Sequence, residues 1–266
     1  MDQPEQKQTI PAPSQWGWWS SDLGDYRPLF PDPFRTYCNF SYDDLPPITG
    51  IPFTGDFQWL TPLDSVLAQR LARSKEEVYD PTGHLLSEAR ITDYERVEMA
   101  RHAKAIGEQA RQLGLTLPPG FLRFITSIEL QSRIPSPTAC TFSLPERIVP
   151  YPGRENGYVL SFLWDTQACG IWHLYLTTDG AHRVLEAPFE FVELTANAEQ
   201  CSEATLDDIL AHVYLCAPMF EEFLYRFWLE NMIWYHLNGY NTAGTRIGPK
   251  PLTEAQQRYL AHYATK

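Results

Sequence analysis

Cys169 and His173, whose side chains could bind a metal or form a nucleophile–base pair, are four positions apart in a segment rich in β-forming residues. On a strand, this spacing places both side chains on one face. A tetrahedral metal site would need two more ligands, for which Cys140, His182 and Asp165 are candidates. The chain has no Cys-x-x-Cys and no His-x-x-x-His pair. Because strand cysteines usually fill apolar space, we predict neither a metal site nor a cofactor.

Motifs for covalent catalysis or phosphate binding are missing from the sequence. There is no Gly-x-Ser-x-Gly, no Gly-x-Gly-x-x-Gly and no Walker-type loop. No cysteine is placed at a predicted helix N-terminus or beside a cation, where its thiol would have a lowered pKa. Adjacent carboxylates such as Asp43–Asp44 are typical of solvated faces or helix first turns. We therefore assign no catalytic residue and expect a non-enzymatic protein, with an uncharacterised enzyme as the second alternative.

Negative charge is concentrated in one stretch, from Val184 to Tyr225, which contains no Lys or Arg over 42 residues. The stretch carries nine of the 33 acidic residues in a chain of net charge −12. They could form a solvated surface that aids solubility, or a surface that attracts a basic protein partner. The residues that we predict to bind such a partner are Glu186, Glu190, Glu193, Asp207 and Asp208.

Length and composition exclude several classes of protein. The 266 residues, 44% of them hydrophobic, are enough for a well-buried core and for one or two domains. A net charge of −12 disfavours binding of nucleic acid through a broad basic surface. No uncharged apolar run approaches the ~20 residues that span a bilayer. With no apolar segment behind the polar Met1–Thr9 and an odd number of cysteines, we expect a cytoplasmic chain with reduced thiols.

The chain divides into an irregular N-terminal arm, residues 1–60, and an α+β domain, residues 61–266. The arm holds nine of the 22 prolines and twelve of the 36 aromatic residues. The prolines exclude a long helix, and the aromatic residues carry too much apolar surface for a simple linker. The arm could pack on its own core or dock a partner, and the second possibility makes a regulatory scaffold the first alternative function.

Helices are predicted on both sides of a block of strands. Apolar spacing predicts helices over Leu63–Val78, from Thr92 to Leu113, and over Met219–Leu237, the last with a polar stripe of Glu222, Arg226 and Glu230. Shorter helices are expected at Phe121–Ile128, after Thr205 with Asp208 as a capping partner, and from Thr253 to Tyr263 with a cap formed by Thr253 and Gln256. This order of helices, strands and helices predicts an α+β fold.

The predicted strands are short and follow one another closely. They are Cys140–Leu144, Gly157–Trp164 with Tyr158, Leu160, Phe162 and Trp164 on one face, Gly170–Thr177, Arg183–Leu185 and Phe189–Leu194. Asp179-Gly180 is a strong hairpin signal, because both residues tolerate positive φ. Connections this short favour a twisted antiparallel sheet over parallel strands, and we expect this curved layer to grip another macromolecule.

Three stretches resemble the SUKH superfamily, specifically its bacterial immunity-protein group similar to the yeast cell-wall synthesis regulator. They are Leu113–Phe124, with Leu-Pro before a short aromatic helix; Gly157–Leu176, with Asp165-x-Gln167 before a Trp-containing strand; and Glu222–Asn231, similar to a closing helix. The best-matching part is 93–237. At Ser127–Leu130 the sequence departs from the family, whose first helix is commonly followed by Asn-Gly.

The resemblance implies an α+β domain with a twisted antiparallel sheet, flanking helices and no catalytic motif. Bacterial members commonly bind and neutralise toxins, many of which are nucleases or deaminases. We therefore expect a protein-binding module, an immunity protein that neutralises a toxin with a basic domain, and no binding of nucleic acid or membrane. The oligomeric state is left open.

Overall fold

The computed structural model describes residues 17–20, 23–27, 38–40, 45–62, 93–138, 140–152, 157–167, 169–196, 203–241 and 246–264. The strands are β1 (Trp18–Ser20), β2 (Cys38–Phe40), β3 (Cys140–Phe142), β4 (Val149–Pro150), β5 (Gly157–Asp165), β6 (Ile171–Thr177), β7 (His182–Ala187) and β8 (Tyr214–Ala217). The helices are α1 (Asp93–Gln112), α2 (Phe121–Ile125), α3 (Ile128–Ser132), α4 (Phe191–Ala196), α5 (Glu203–Leu210), α6 (Phe220–Asn238) and α7 (Glu254–Ala264). The helix predicted over Leu63–Val78 lies outside the described residues.

A six-stranded antiparallel sheet forms the centre of the fold, which confirms the α+β prediction. Its strand order is β3-β5-β6-β7-β8, with β4 pairing beside β3 on β5. The turn at Asp179-Gly180 joins β6 to β7 as predicted, with Gly180 at φ +86° and the Asp179 carboxylate accepting from the Ala181 N–H at 3.1 Å. After β7 the described chain forms α4 and α5, and β8 then pairs with β7 at the edge of the sheet.

A β-bulge between Ser161 and Leu163 changes which way β5 points its side chains. Before the bulge Leu160 pairs with Leu174, and after it Leu163 pairs with Trp172, so residues of both parities face the same core. Trp164 pairs with Ile171 and lies on the opposite face. The predicted single face of Tyr158, Leu160, Phe162 and Trp164 is therefore wrong at Trp164, because the extra residue of a bulge shifts the alternation.

Both faces of the sheet are covered by apolar packing. One face packs against α1, α2 and α6 through residues such as Phe162, Trp172 and Phe223. The other face packs against α4 and α5 around Tyr175, Leu185 and Phe191. Six of the seven residues of β6 are buried. A partner therefore cannot lie directly on the central strands, contrary to the expectation that the sheet layer grips another molecule.

The helices before the sheet differ from the prediction in two places. In α1, Ala103, Ile106 and Ala110 are buried as expected, but Val97 near its start is 65% exposed. The single helix predicted over Phe121–Ile128 is two helices, α2 and α3, because the Ser127 hydroxyl accepts from the Leu130 N–H at 3.2 Å and starts a new helix.

Phe189–Leu194, predicted as a strand, is mostly helical in the structure. β7 ends at Ala187, and α4 begins four residues later. The Leu194 N–H donates to the Glu190 carbonyl at 3.2 Å, and the Thr195 hydroxyl donates to the Phe191 carbonyl at 2.8 Å. With Pro188 at the break, the apolar alternation of this segment serves a short amphipathic helix that packs on the sheet.

The C-terminal half differs from the prediction in one additional strand and in the burial of the polar stripe of α6. α5 begins at Glu203, so Thr205 lies inside the helix and not at its cap, and Tyr214–Ala217 forms the unpredicted edge strand β8. In α6, Arg226 and Glu230 of the predicted polar stripe are 2% and 1% exposed, and Glu222 is half-buried, so most of the stripe faces the interior. α7 has the predicted reciprocal cap between Thr253 and Gln256.

The described parts of the N-terminal arm belong to the protein core. Trp18, Leu45, Phe57 and Leu60 are buried in the cluster beneath α6. The Gly17 N–H donates to the Leu215 carbonyl at 2.9 Å and so places the arm on the outer side of β8. These contacts match the interpretation in which the arm packs on its own domain.

Candidate functional site

A cluster of polar side chains lies between the sheet and α4. Ser161 on β5 pairs directly with His173 on β6, beside the bulge, and the two residues are 3% and 1% exposed. Glu190, immediately before α4, is 9% exposed. The His173 ring meets the Phe191 ring edge-on, with 4.8 Å between their centroids. We call Ser161, His173 and Glu190 the α4 polar cluster.

The titratable groups of the α4 polar cluster are strongly perturbed by burial. Burial lowers the pKa of His173 to about 3, opposed only weakly by the Phe189 backbone, so the ring is neutral. Burial raises the pKa of Glu190 to about 7, and the negative charge of Glu193 also raises it, while the Ser161 hydroxyl and the Val192 N–H partly offset these effects. Within the described part of the chain, neither His173 nitrogen nor the Glu190 Oε1 atom has a well-aligned hydrogen-bond partner.

Glu186 is a second buried carboxyl group, on the face of the sheet toward α6. It pairs with Trp172 across β6 and β7 and is 1% exposed. A Cβ on Gly170 would lie 3.1 Å from the Glu186 Oε1 atom, so the missing side chain of this glycine makes room for the carboxyl group. Burial raises the pKa of Glu186 to about 9, and no described residue hydrogen-bonds to either of its carboxyl oxygens.

The five residues predicted to form an acidic binding surface are split between surface and interior. Glu193 on α4 and Asp207 and Asp208 on α5 are exposed. Glu186 and Glu190 are buried, so the prediction of an exposed surface is wrong for these two. Glu186 on β7 and Glu190 before α4 have side chains that lie in the core. The acidic composition of the segment does not predict this burial.

Two further acidic residues of the same segment are not fully exposed: Glu221 is buried and Glu222 is half-buried. Glu221 is 5% exposed, and its carboxylate accepts from the Gly55 N–H at 2.5 Å and from the Trp59 Nε1–H at 2.9 Å. Glu222 lies 3.7 Å from the Arg226 guanidinium. The arm therefore contacts one of these acids, Glu221, and the exposed acids described on α4 and α5 are Glu193, Asp207 and Asp208.

The residues considered for a metal site are not brought together. Cys169 is exposed in the turn before β6, whereas His173 is buried on the strand. The carboxylate of Asp165 accepts from the Gln167 N–H at 2.9 Å within the same turn. Among the residues that the structure describes, no three His, Cys, Asp or Glu side chains are grouped so that they could hold a metal ion.

The sequence does not single out Ser161. It makes His173 a candidate metal ligand or catalytic base, and it predicts that Glu190 binds a partner. A polar residue inside the apolar run Tyr158–Trp164 was an available signal, because a hydroxyl group in a buried strand needs a polar neighbour. The positions of the bulge and of α4 were not available from the pattern, and they bring the three residues together.

A comparison of the chain with protein-family models, curated proteins and solved structures finds no match in any of the three.

Among the described helices, none combines the length and the apolar character needed to cross a lipid bilayer.

Proposed function

We propose that this chain is a non-enzymatic protein-binding module that neutralises a toxin, as bacterial immunity proteins do, by covering a basic domain of its partner. The observation that carries the proposal is the surface formed by Glu193, Asp207 and Asp208. These residues are exposed on α4 and α5, two helices that pack on the same side of the sheet. No Lys or Arg occurs between Val184 and Tyr225. We call Glu193, Asp207 and Asp208 the acidic face.

The acidic face supports recognition of a basic partner on physical grounds. Exposed carboxylates on a segment that contains no Lys or Arg create a negative potential, which speeds encounter with a positive surface and disfavours other partners. The rest of the molecule supports a binding role as well. Three groups whose pKa values burial shifts strongly, His173, Glu186 and Glu190, are at least nine-tenths buried, where a dissolved substrate does not meet them.

The proposal is tested by affinity capture from the native host with three matched baits. One is the wild-type chain, one carries Glu193→Lys, Asp207→Lys and Asp208→Lys, and the control carries Glu108→Lys, Glu129→Lys and Glu254→Lys. Both variants change the net charge equally, and the control residues are exposed on other helices. We expect a protein with a basic domain to be enriched at least tenfold on the wild-type and control baits and lost on the acidic-face variant. Equal capture by all three baits, or no enriched protein, would contradict the proposal.

A further inference from the structure

α4 is too short to be stable without its contacts on the sheet. It has six residues, and isolated helices shorter than about 12 residues are marginal in water. Phe191, which is 1% exposed, anchors it between Tyr151, at 5.4 Å between ring centroids, and His173. The position of α4 therefore depends on what lies beneath its N-terminal end.

The Glu190 carboxyl group lies at that N-terminal end, between α4 and the sheet. The side chain is 9% exposed, and its pKa is affected by groups on both sides, the Ser161 hydroxyl of β5 and the Val192 N–H of α4. Within the described residues its Oε1 atom has no hydrogen-bond partner and almost no contact with solvent. A neutral carboxylic acid tolerates this environment, whereas a carboxylate there has one oxygen, Oε1, with neither water nor a described hydrogen-bond donor.

No cation is among the described groups that act on the pKa of Glu190. Arg183 of β7 pairs with Tyr175, and its guanidinium donates to the His182 and Pro218 carbonyls. α4 contributes Glu193, whose charge is of the same sign, and β6 contributes His173, which burial keeps neutral. The neighbouring side chains of Tyr151 and Tyr175 contain no basic group. Among the described side chains of the nearby helix α5, the charged ones are the exposed carboxylates Asp207 and Asp208. An ionised Glu190 is therefore relieved only by reaching solvent, which requires the start of α4 to move off the sheet.

We propose that Glu190 makes α4 a pH-dependent latch, which is closed on the sheet when the carboxyl group is protonated and opens at its N-terminal end when the group ionises. This inference does not depend on the identity of any partner. Because α4 carries Glu193, opening of the latch would also reshape the acidic face.

Amide hydrogen exchange of the full chain between pH 5.5 and pH 8.5, corrected for intrinsic exchange, tests the latch. If the pKa of Glu190 is about 7 when closed and its ordinary value of 4.5 when open, local opening of residues 189–196 should increase roughly 30-fold over this range. Glu190→Gln should abolish the pH dependence, since an amide does not ionise. The control Glu108→Gln, at an exposed position of α1, should keep it. Protection of wild-type α4 that is constant over the range, or an unchanged pH dependence in Glu190→Gln, would overturn the proposal.

A second measurement keeps the test decisive if Glu190→Gln fails to fold. The carboxyl carbon of Glu190 in the wild-type chain is followed by NMR through the same pH range. We expect a titration midpoint near 7 that is shared by the amide signals of α4. A midpoint near the ordinary 4.5, or α4 amides that do not follow the carboxyl group, would overturn the latch.

Discussion

Single buried acids have the largest effects at the residue scale. Glu186 and Glu190 lie on opposite sides of the sheet, and each has at least one carboxyl oxygen for which no described residue serves as a hydrogen-bond partner. Burial raises the pKa of both, so the folded chain binds their protons more tightly than the unfolded chain does. Their contribution to stability is therefore full below about pH 4.5 and declines as pH rises through their folded-state pKa values.

Glu186→Gln should flatten the pH dependence of stability. Between pH 5 and pH 8 the wild-type chain should lose about 4 kcal/mol of unfolding free energy through this one group, because its pKa is about 9 in the folded state. The amide does not titrate, so the variant should lose less over the same interval. Urea unfolding at several pH values measures the unfolding free energy, and the control is Glu108→Gln at an exposed position of α1. Equal slopes for wild type and Glu186→Gln would show that the carboxyl group is not buried in this way.

Elements are positioned by close approaches of the backbone. Gly55 in the arm and Gly120 before α2 lie against each other, and both have positive φ, +82° and +74°. A Cβ on Gly120 would lie 2.8 Å from the Gly55 Cα, and a Cβ on Gly55 would lie 2.6 Å from the Pro119 carbonyl carbon. This crossing places the Gly55 N–H against Glu221 at the start of α6.

Gly120→Ala should destabilise the protein far more than Gly50→Ala. Both glycines have φ +74°, so both variants incur the strain of a left-handed alanine, about 1 kcal/mol. Only Gly120 also meets a neighbouring backbone, while the Cβ position of Gly50 is open, so we expect Gly120→Ala to cost about 3 kcal/mol more. Thermal unfolding of the two variants provides the comparison. Similar losses would mean that the arm does not cross α2 at this point.

Local chemistry predicted some elements well and others poorly. The hairpin at Asp179-Gly180 and the cap at Thr253 and Gln256 were predictable because a few neighbouring residues determine them. The helix α4 and the bulge at Ser161 were not, because packing on the sheet decides both. The α4 polar cluster depends on these two features, and so it could not be assembled from the sequence. Of the acidic face, Glu193, Asp207 and Asp208 were placed correctly at the surface.

At the scale of the whole molecule, a buried ionic network joins the arm to the two C-terminal helices. The Arg27 guanidinium donates two hydrogen bonds to the Glu230 carboxylate, at 2.7 and 2.8 Å. Trp18 Nε1–H donates to the same carboxylate at 2.8 Å, and the Tyr259 hydroxyl of α7 donates to it as well. Arg226 lies over the Trp18 ring and donates to the Pro46 carbonyl at 2.9 Å. The Glu230 carboxylate of α6 therefore joins the arm and α7 through one hydrogen-bonded network.

Arg27→Met should show that the arm is part of the folding unit. Removing the guanidinium leaves the Glu230 carboxylate buried without its counter-ion, which should cost about 3–5 kcal/mol. The control is Arg258→Met, which breaks an exposed pair with Glu254 and should cost less than about 1 kcal/mol. Denaturant unfolding measures both. A small effect of Arg27→Met on the unfolding free energy would contradict this and would favour an arm that detaches and docks a partner.

Growth protection is the most direct test of the claim that the acidic face of α4 and α5 recognises a basic toxin. The partner captured from the native host is expressed in a heterologous bacterium together with the wild-type chain, the acidic-face variant or the control variant. Arrested growth should be restored by the wild type and the control, and not by the variant that reverses Glu193, Asp207 and Asp208. A partner that does not arrest growth, or full protection by the acidic-face variant at equal protein levels, would contradict this account.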